Sequence, residues 1–254
     1  MDKEMFKLDS RLALITGAAR GLGAAITIAL AQQGADVAIS DKPGQSLDDT
    51  AGKAKEYGHK VFTFDMDVRV MNQIYQGIAA VNKEFSKIDI LVNNAGINRP
   101  MYGLEVTEEN WDSHYNTNVK GGFFVTQAVA KLMIPRRWGR IIFISSQSGL
   151  IGIPGQPVYC STKGAIIQLA RTLGLEWAKY GITVNAVAPT FVKTNLTHKR
   201  LENREFLNFV LGKIPIGKLA TPEDVAAAVV YLASDEAKMV NCAVLSVDGG
   251  WTAW

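Results

Sequence analysis

Two cysteines and three histidines are all that the 254 residues provide. Cys160 and Cys242 lie far apart, without the spacing of a thiolate metal site or a disulfide framework, so both are expected to be free thiols in a reducing compartment. No apolar run approaches the ~18 to 20 residues of a membrane span. Met1 to Ser10 is polar and charged, with no apolar leader core, and a cytoplasmic location is expected. An excess of charge of one sign is also missing: 27 basic residues are interspersed with 24 acidic ones, leaving +3. The densest basic spots, Arg136-Arg137 with Arg140 and His198-Lys199-Arg200, are short and read as solvated helix ends. Neither nucleic acid nor a membrane is therefore an expected partner. Internal repeats, low-complexity tracts and a linker-like composition shift are absent as well, so residues 1–254 read as one domain.

What the chain has is apolar residues, 48% of the total against 20% charged, enough for a large core. Short β-rich runs alternate with longer helical patterns. Arg11 to Thr16, Val37 to Ser40, Val61 to Phe64, Ile88 to Val92, Arg140 to Ser145, Thr183 to Ala188 and Ala243 to Val247 read as strands. Two of them, Leu12-Ala13-Leu14-Ile15 and Ile141-Ile142-Phe143-Ile144, are continuously apolar, as parallel strands covered on both faces must be. The alternation predicts an α/β, doubly wound sheet. Helical stretches near Trp111 to Arg136 and Pro157 to Tyr180 carry apolar residues on more than one stripe, which points to a second subunit, although the sheet alone could cover them. Thr190 to Gly217 has no clear pattern before the helix start at Thr221-Pro222-Glu223-Asp224, and it reads as a mobile cover over a site.

The first strand ends in Thr16-Gly17-Ala18-Ala19-Arg20-Gly21-Leu22-Gly23 and runs into a helical pattern. Glycines there let the chain bend and let a pyrophosphate reach the free N–H groups at a helix start, though the same turn could simply join strand to helix. Asp41 falls just past the second strand, where a carboxylate can accept from both ribose hydroxyls of an adenosine, or merely solvate a turn. It favours NAD over NADP, because a 2′-phosphate would meet a negative charge. Arg20 is the opposing evidence, a guanidinium beside the loop that could partner that phosphate.

Tyr159 and Lys163 lie four positions apart in a helical stretch and project from one face. A neighbouring ammonium is expected to lower the phenol from its ordinary value near ~10 toward working pH, which would make Tyr159 an acid or base. The pair gains weight from its company: the glycine turn, Asn93-Asn94-Ala95-Gly96 after a strand, and Ser145-Ser146 upstream.

Thr16-Gly17-x-x-x-Gly21-x-Gly23, Asn93-Asn94-Ala95-Gly96, Asn118, Ser146 and Tyr159-x-x-x-Lys163 together resemble the short-chain dehydrogenase/reductase family over essentially the whole chain. The resemblance implies a Rossmann-type fold with a seven-stranded parallel sheet, a nicotinamide dinucleotide, and oxidation of an alcohol or reduction of a carbonyl. Carried over by position, Ser146 would hydrogen-bond the substrate oxygen and Tyr159 would transfer the proton. Lys163 would tune the phenol and hold the nicotinamide ribose, and Asn118 would position a water leading to the lysine. Gly17, Arg20, Gly21, Leu22 and Gly23 would surround the phosphates, with Asp41, Asp67 and Val68 at the adenosine. Asn94, Ala95, Gly96, Pro189, Val192 and Thr194 would complete the cofactor site. Thr190 and Cys242 depart from the family, which commonly has glycine at both. The Thr190 departure puts that loop's backbone in doubt.

Ser148, Gln156, Gln147, Asn98 and Thr190 are polar candidates around the substrate and slightly favour a sugar or polyol, with no metal. A 3-oxoacyl thioester is the alternative substrate, with Arg136, Arg137 and Lys179 meeting an acidic carrier, and a non-catalytic dinucleotide-binding scaffold is the alternative of another class. A homotetramer is the expected assembly, and the C-terminal Val247-Asp248-Gly249-Gly250-Trp251 is similar to the family's, in which this edge often packs against a neighbouring subunit.

Overall fold

A computed structural model describes residues 5–194 and 197–253, the side chain of Lys199 excepted. Parts of the polar start at 1–10 and of the 190–217 segment therefore lie outside the described residues. Seven strands form one fully parallel sheet in the order β3-β2-β1-β4-β5-β6-β7. They are β1 (Leu12–Thr16), β2 (Asp36–Asp41), β3 (Val61–Asp65), β4 (Ile90–Asn93), β5 (Gly139–Ile144), β6 (Ile182–Pro189) and β7 (Val244–Val247). Each coincides with an expected strand to within two residues at either end, the largest difference being the later start of β4.

The apolar runs are continuous because both faces are covered. On one side Ala13, Ile15, Val37, Ile39, Val92 and Ile142 pack under α1 (Gly21–Gln32) and α9 (Pro222–Ala233). On the other, Leu12, Leu14, Leu91, Ile141 and Phe143 meet α3 (Met71–Phe85), α5 (Gly122–Met133) and α6 (Pro157–Trp177). Successive residues of one strand thus enter opposite cores, as the period of two requires. Helix α2 (Asp48–Lys55) flanks the first core. The predicted start of α9 is a capping box, Thr221 and Asp224 each bonding the other's backbone N–H.

Strand order reverses between β1 and β4, which opens a crevice at their carboxyl ends. The long helical stretch at 111–136 is not one regular helix: α4 (Glu108–His114) passes through a π-helical segment, Tyr115–Gly121, before α5 begins. Asn118 lies on that segment. The 190–217 stretch holds α7 (His198–Leu201) and α8 (Arg204–Lys213). Its apolar side builds a small separate core in which Val210, Ile214 and Trp251 gather Phe191 and Phe206.

Candidate active site

At the carboxyl ends of the strands lies a cleft of about 430 Å³. Its floor is the turn after β1. Gly17 has φ +66°, a left-handed conformation open to glycine, and a Cβ there would stand 2.8 Å from the Ala95 Cα. A Cβ on Gly23 would stand 2.2 Å from the Gly17 carbonyl oxygen. The turn is therefore a bare backbone cradle, opening onto the first turn of α1, and it suits a pyrophosphate.

A second turn, after β4, is fastened to the first. The Asn94 side-chain amide donates to the carbonyls of Thr16 at 3.0 Å and Gly17 at 2.8 Å, while the backbone N–H groups of Asn94 and Ala95 donate to Thr16 Oγ1 at 3.2 and 3.1 Å. Asn94 lines the cleft, yet its amide is committed to holding the two turns together.

At the far end of β2, Asp41 accepts from the backbone N–H of Ala19 at 3.1 Å and of Lys42 at 2.8 Å. Those bonds fix the carboxylate on the cleft wall beside exposed Arg20 and Lys42. Asp67 also lines the cleft, but its carboxylate is gripped by Arg69 through Nε at 2.9 Å and Nη2 at 2.6 Å. That hydrogen-bonded guanidinium holds the Asp67 carboxyl below its ordinary value. Val68 is buried against the π-helical segment, where a Cβ on Gly121 would meet its carbonyl oxygen at 2.7 Å.

Ser146, Tyr159 and Lys163 line the opposite end. Ser146 follows β5 with extended backbone, and its Oγ accepts from the Ser148 N–H at 3.1 Å while also hydrogen-bonding the Tyr159 phenol. Lys163 is buried, one helical turn beyond Tyr159 on α6, and its Nζ donates to the Ile144 carbonyl at 2.8 Å. The ammonium stands 5.5 Å from the centre of the Tyr159 ring. Both groups thus face the same space. The expected tuning runs the other way, however: withdrawal from water pushes the Tyr159 phenol up to about 12, only partly offset by the Ser146 bond, and brings Lys163 down to about 8. Burial of each charged form outweighs their mutual help, because the lysine's charge is itself disfavoured.

Asn118 reaches this end from the π-helical segment. Its Oδ1 accepts from the Ile97 N–H at 2.8 Å, and its Nδ2 donates to the Ile97 carbonyl at 3.0 Å and to Thr162 Oγ1 at 3.1 Å. A Cβ on Gly96 would fall 3.3 Å from Asn118 Oδ1 and 3.7 Å from Lys163 Nζ, so the three meet around that glycine.

Every residue expected around the cofactor lines the cleft: Arg20, Gly21 and Leu22 beside the turn, Ala95 and Gly96 after β4, and Pro189, Val192 and Thr194 after β6. Thr190 lines it too, without a positive φ, so the family's glycine is not needed for the backbone here. Asn118, Ser148, Gln156, Gln147 and Asn98 do not line it. Ser148 lends its N–H to Ser146, and buried Gln156 accepts from Asn98 Nδ2 at 2.7 Å. Lining residues that the sequence did not single out include Arg69, Arg99, Ser113 and Thr197. Arg99 had one traceable signal, its place in the run after Gly96. Its N–H donates to buried His114 Nε2 at 3.0 Å, whose Nδ1 faces the Asn110 carbonyl at 2.7 Å. Among the described residues no group of three His, Cys, Asp or Glu is placed to hold a metal ion, and no helix is long and apolar enough to cross a membrane.

A family model described as enoyl-(acyl carrier protein) reductase matches residues 17–252. A 3-oxoacyl-(acyl-carrier-protein) reductase of Thermotoga maritima is 40% identical over 244 residues, covering 96% of this chain and 98% of the relative. Gluconate 5-dehydrogenase of Gluconobacter oxydans is 36% identical over 98% of this chain and 97% of its own length. Among solved structures, a gluconate 5-dehydrogenase from Burkholderia cenocepacia in complex with NADP and tartrate superposes with a TM-score of 0.94 at 34% identity, covering 98% of both chains.

Proposed function

The chain belongs to the short-chain dehydrogenase/reductase family of oxidoreductases acting on CH–OH groups, and on that premise we propose that it interconverts a secondary alcohol and a ketone with NAD(H), on a sugar, polyol or related small hydroxy compound. The observation that carries this reading is the convergence of Ser146, Tyr159 and Lys163 at the end of a cleft whose other end is a glycine cradle.

The cradle's fit to a pyrophosphate is that of bare backbone: Gly17 and Gly23 let the turn close tightly against Ala95 and the Gly17 carbonyl, and the N-cap residue Arg20 makes no side-chain cap at the start of α1. Gly17 to Gly23 would hold the phosphates, Asp41 the adenosine ribose, Lys163 the nicotinamide ribose, and Pro189, Val192 and Thr194 the carboxamide side. The cofactor, when bound, supplies the hydride acceptor in oxidation and the donor in reduction. Ser146 Oγ donates to the substrate oxygen and holds it against the phenol. In reduction, neutral Tyr159 gives its proton to that oxygen; in oxidation, the phenolate takes the alcohol proton. Asn118, bonded to both Ile97 backbone groups, keeps the loop after β4 against Thr162 and steadies the Lys163 surroundings.

Asp41 supports NAD: its oxygens are held by two backbone N–H groups, and among the described residues no cation pairs with it. Burkholderia cenocepacia gluconate 5-dehydrogenase holds NADP, so the two cofactors are to be compared directly. A buried polar atom without a partner on a residue of the cleft wall, Thr190 Oγ1, supports a hydroxyl-rich substrate. The 3-oxoacyl thioester reading has the Thermotoga maritima relative in its favour. The basic side chains offered for an acidic carrier are already engaged, though. Arg136 pairs with buried Asp89, Arg137 donates to the Lys179 carbonyl at 2.8 Å, and Lys179 lies over the Tyr180 ring. An apolar groove on α5 and α6, lined by Phe123, Leu169, Leu173 and Trp177, supports assembly as a homotetramer, and two free thiols fit a cytoplasmic setting.

Tyr159→Phe tests the assignment. Oxidation of polyols and sugars with NAD should fall by about 10³-fold or more while NADH still quenches protein fluorescence with unchanged affinity. Turnover that survives the change would show that another group moves the proton.

A further inference from the structure

Asp67 is expected at the adenosine, and a carboxylate there can accept from the adenine amino group. Its acceptor sites are already taken, however. Oδ1 accepts from the Arg69 backbone N–H and from Arg69 Nε, each at 2.9 Å, while Oδ2 accepts from Nη2 at 2.6 Å and shares Nε at 3.1 Å. Two carboxylate oxygens offer about four lone-pair sites, and Arg69 alone fills them. The turn that makes this fork is itself fastened. The Asp67 N–H donates to Gln73 Oε1 at 2.7 Å and the Val70 N–H to the Asp67 carbonyl at 2.9 Å. One residue earlier the Met66 N–H donates to the Asp41 carbonyl at 2.8 Å, so the turn stands against the end of β2 that carries the carboxylate proposed for the ribose.

The two partners differ in what they present. The Asp67 side chain is 13% exposed and that of Arg69 49%, and Arg69 is itself a wall of the cleft. The pair therefore offers a ligand its guanidinium rather than its carboxylate. A guanidinium is planar and stacks on aromatic and base rings. Gripped at two points, this one has already given up its rotamer freedom, so stacking on it orders little more. We propose that the adenine ring is received by stacking on the Arg69 guanidinium, with Asp67 as the anchor that holds that plane instead of the acceptor of the amino group. This rests on the dinucleotide reading above. It makes purine recognition in this chain indifferent to the substituent at ring position 6, because every base has a π-face.

The test is calorimetric titration of the full-length protein with four ligands: NADH, NADPH, the hypoxanthine analogue of NADH, in which a carbonyl replaces the amino group, and reduced nicotinamide mononucleotide, which has no purine. Wild type should bind NADH and the hypoxanthine analogue within about threefold of each other, whereas a carboxylate that accepted from the amino group would lose about tenfold or more on facing a carbonyl. Arg69→Ser should weaken both by about tenfold and leave the mononucleotide within about twofold. Arg69→Lys should not restore them, because it keeps the charge and loses the plane. Asp67→Asn, which loosens the fork, should weaken both by about threefold. A wild-type preference for NADH over the hypoxanthine analogue of about tenfold or more overturns the proposal in favour of Asp67. A loss in Arg69→Ser that is confined to NADPH, or that extends equally to the mononucleotide, overturns it as well, the first assigning the cation to the 2′-phosphate and the second to the fold. Wild type that binds none of the three dinucleotides overturns the dinucleotide reading with it.

Discussion

Replacing Lys163 with Met should make the protein more stable while removing its activity. Lys163 is 4% exposed, and burial brings its amine from an ordinary 10.5 down to about 8. That drop of about 2.5 corresponds to ~3 kcal/mol by which the folded state disfavours the charged amine at neutral pH. Met also removes the hydrogen bond to the Ile144 carbonyl, returning about 1 kcal/mol. A net gain of ~2 kcal/mol remains, or ~4–8 °C in Tm for a chain of this length. The sign depends on pH. Below about 8 both folded and unfolded wild type bind the proton and the penalty is complete; between about 8 and 10.5 only the unfolded chain keeps it, so wild-type stability rises toward that of the variant. Calorimetry of both proteins without cofactor at pH 7 and pH 9.5 reads the gap directly, and hydride-transfer assays should show a loss of about 10²-fold or more. A variant less stable than wild type at pH 7, or a gap unchanged by pH, would refute the reasoning.

Because burial keeps the Tyr159 phenol protonated, with its value pushed up to about 12, alcohol oxidation should climb steadily from pH 7 to 10 while ketone reduction stays nearly flat; an oxidation optimum at or below neutrality would contradict this. Asp41→Ser should move the NADPH-to-NADH ratio of kcat/KM toward the phosphorylated cofactor by about tenfold or more, read from steady-state rates with each, and no shift would remove Asp41 from the ribose. Cys242 sits at φ +60°, a conformation in which glycine is unstrained. Cys242→Gly should therefore leave stability unchanged or raise it by up to ~1 kcal/mol in a thermal scan, against a loss if the Sγ contact to the Arg171 carbonyl matters more.

The sheet was legible because strands covered on both faces must be apolar throughout, and the runs at 12–15 and 141–144 are. The glycine turn, the β4 turn and the Tyr159–Lys163 pair were legible because each carries its chemistry in local spacing. What spacing does not carry is desolvation, and so the direction of the Tyr159 shift came out opposite to expectation. The π-helical turn at Tyr115–Gly121 was hidden for a related reason: it ends where Gly121 closely approaches Val68, a contact between two segments far apart in the chain. Helices α7 and α8 showed no pattern because their apolar residues answer to Phe191 and Trp251 rather than to the sheet. The pairings of Asp67 with Arg69 and of Arg99 with His114 depend on rotamers and on folding at a distance.

The Asn94 fastening divides the nucleotide site into parts that can change independently. The amide that clamps the β1 and β4 turns follows β4, whereas Asp41, the carboxylate proposed for the adenosine, ends β2 on the other flank of β1. Exchanging the β2 end for that of a relative with different dinucleotide taste leaves the Asn94 clamp in place and gives up only the Asp41 bond to the Ala19 N–H, so on the proposed role of Asp41 that end of the site is a replaceable module beside a fixed one.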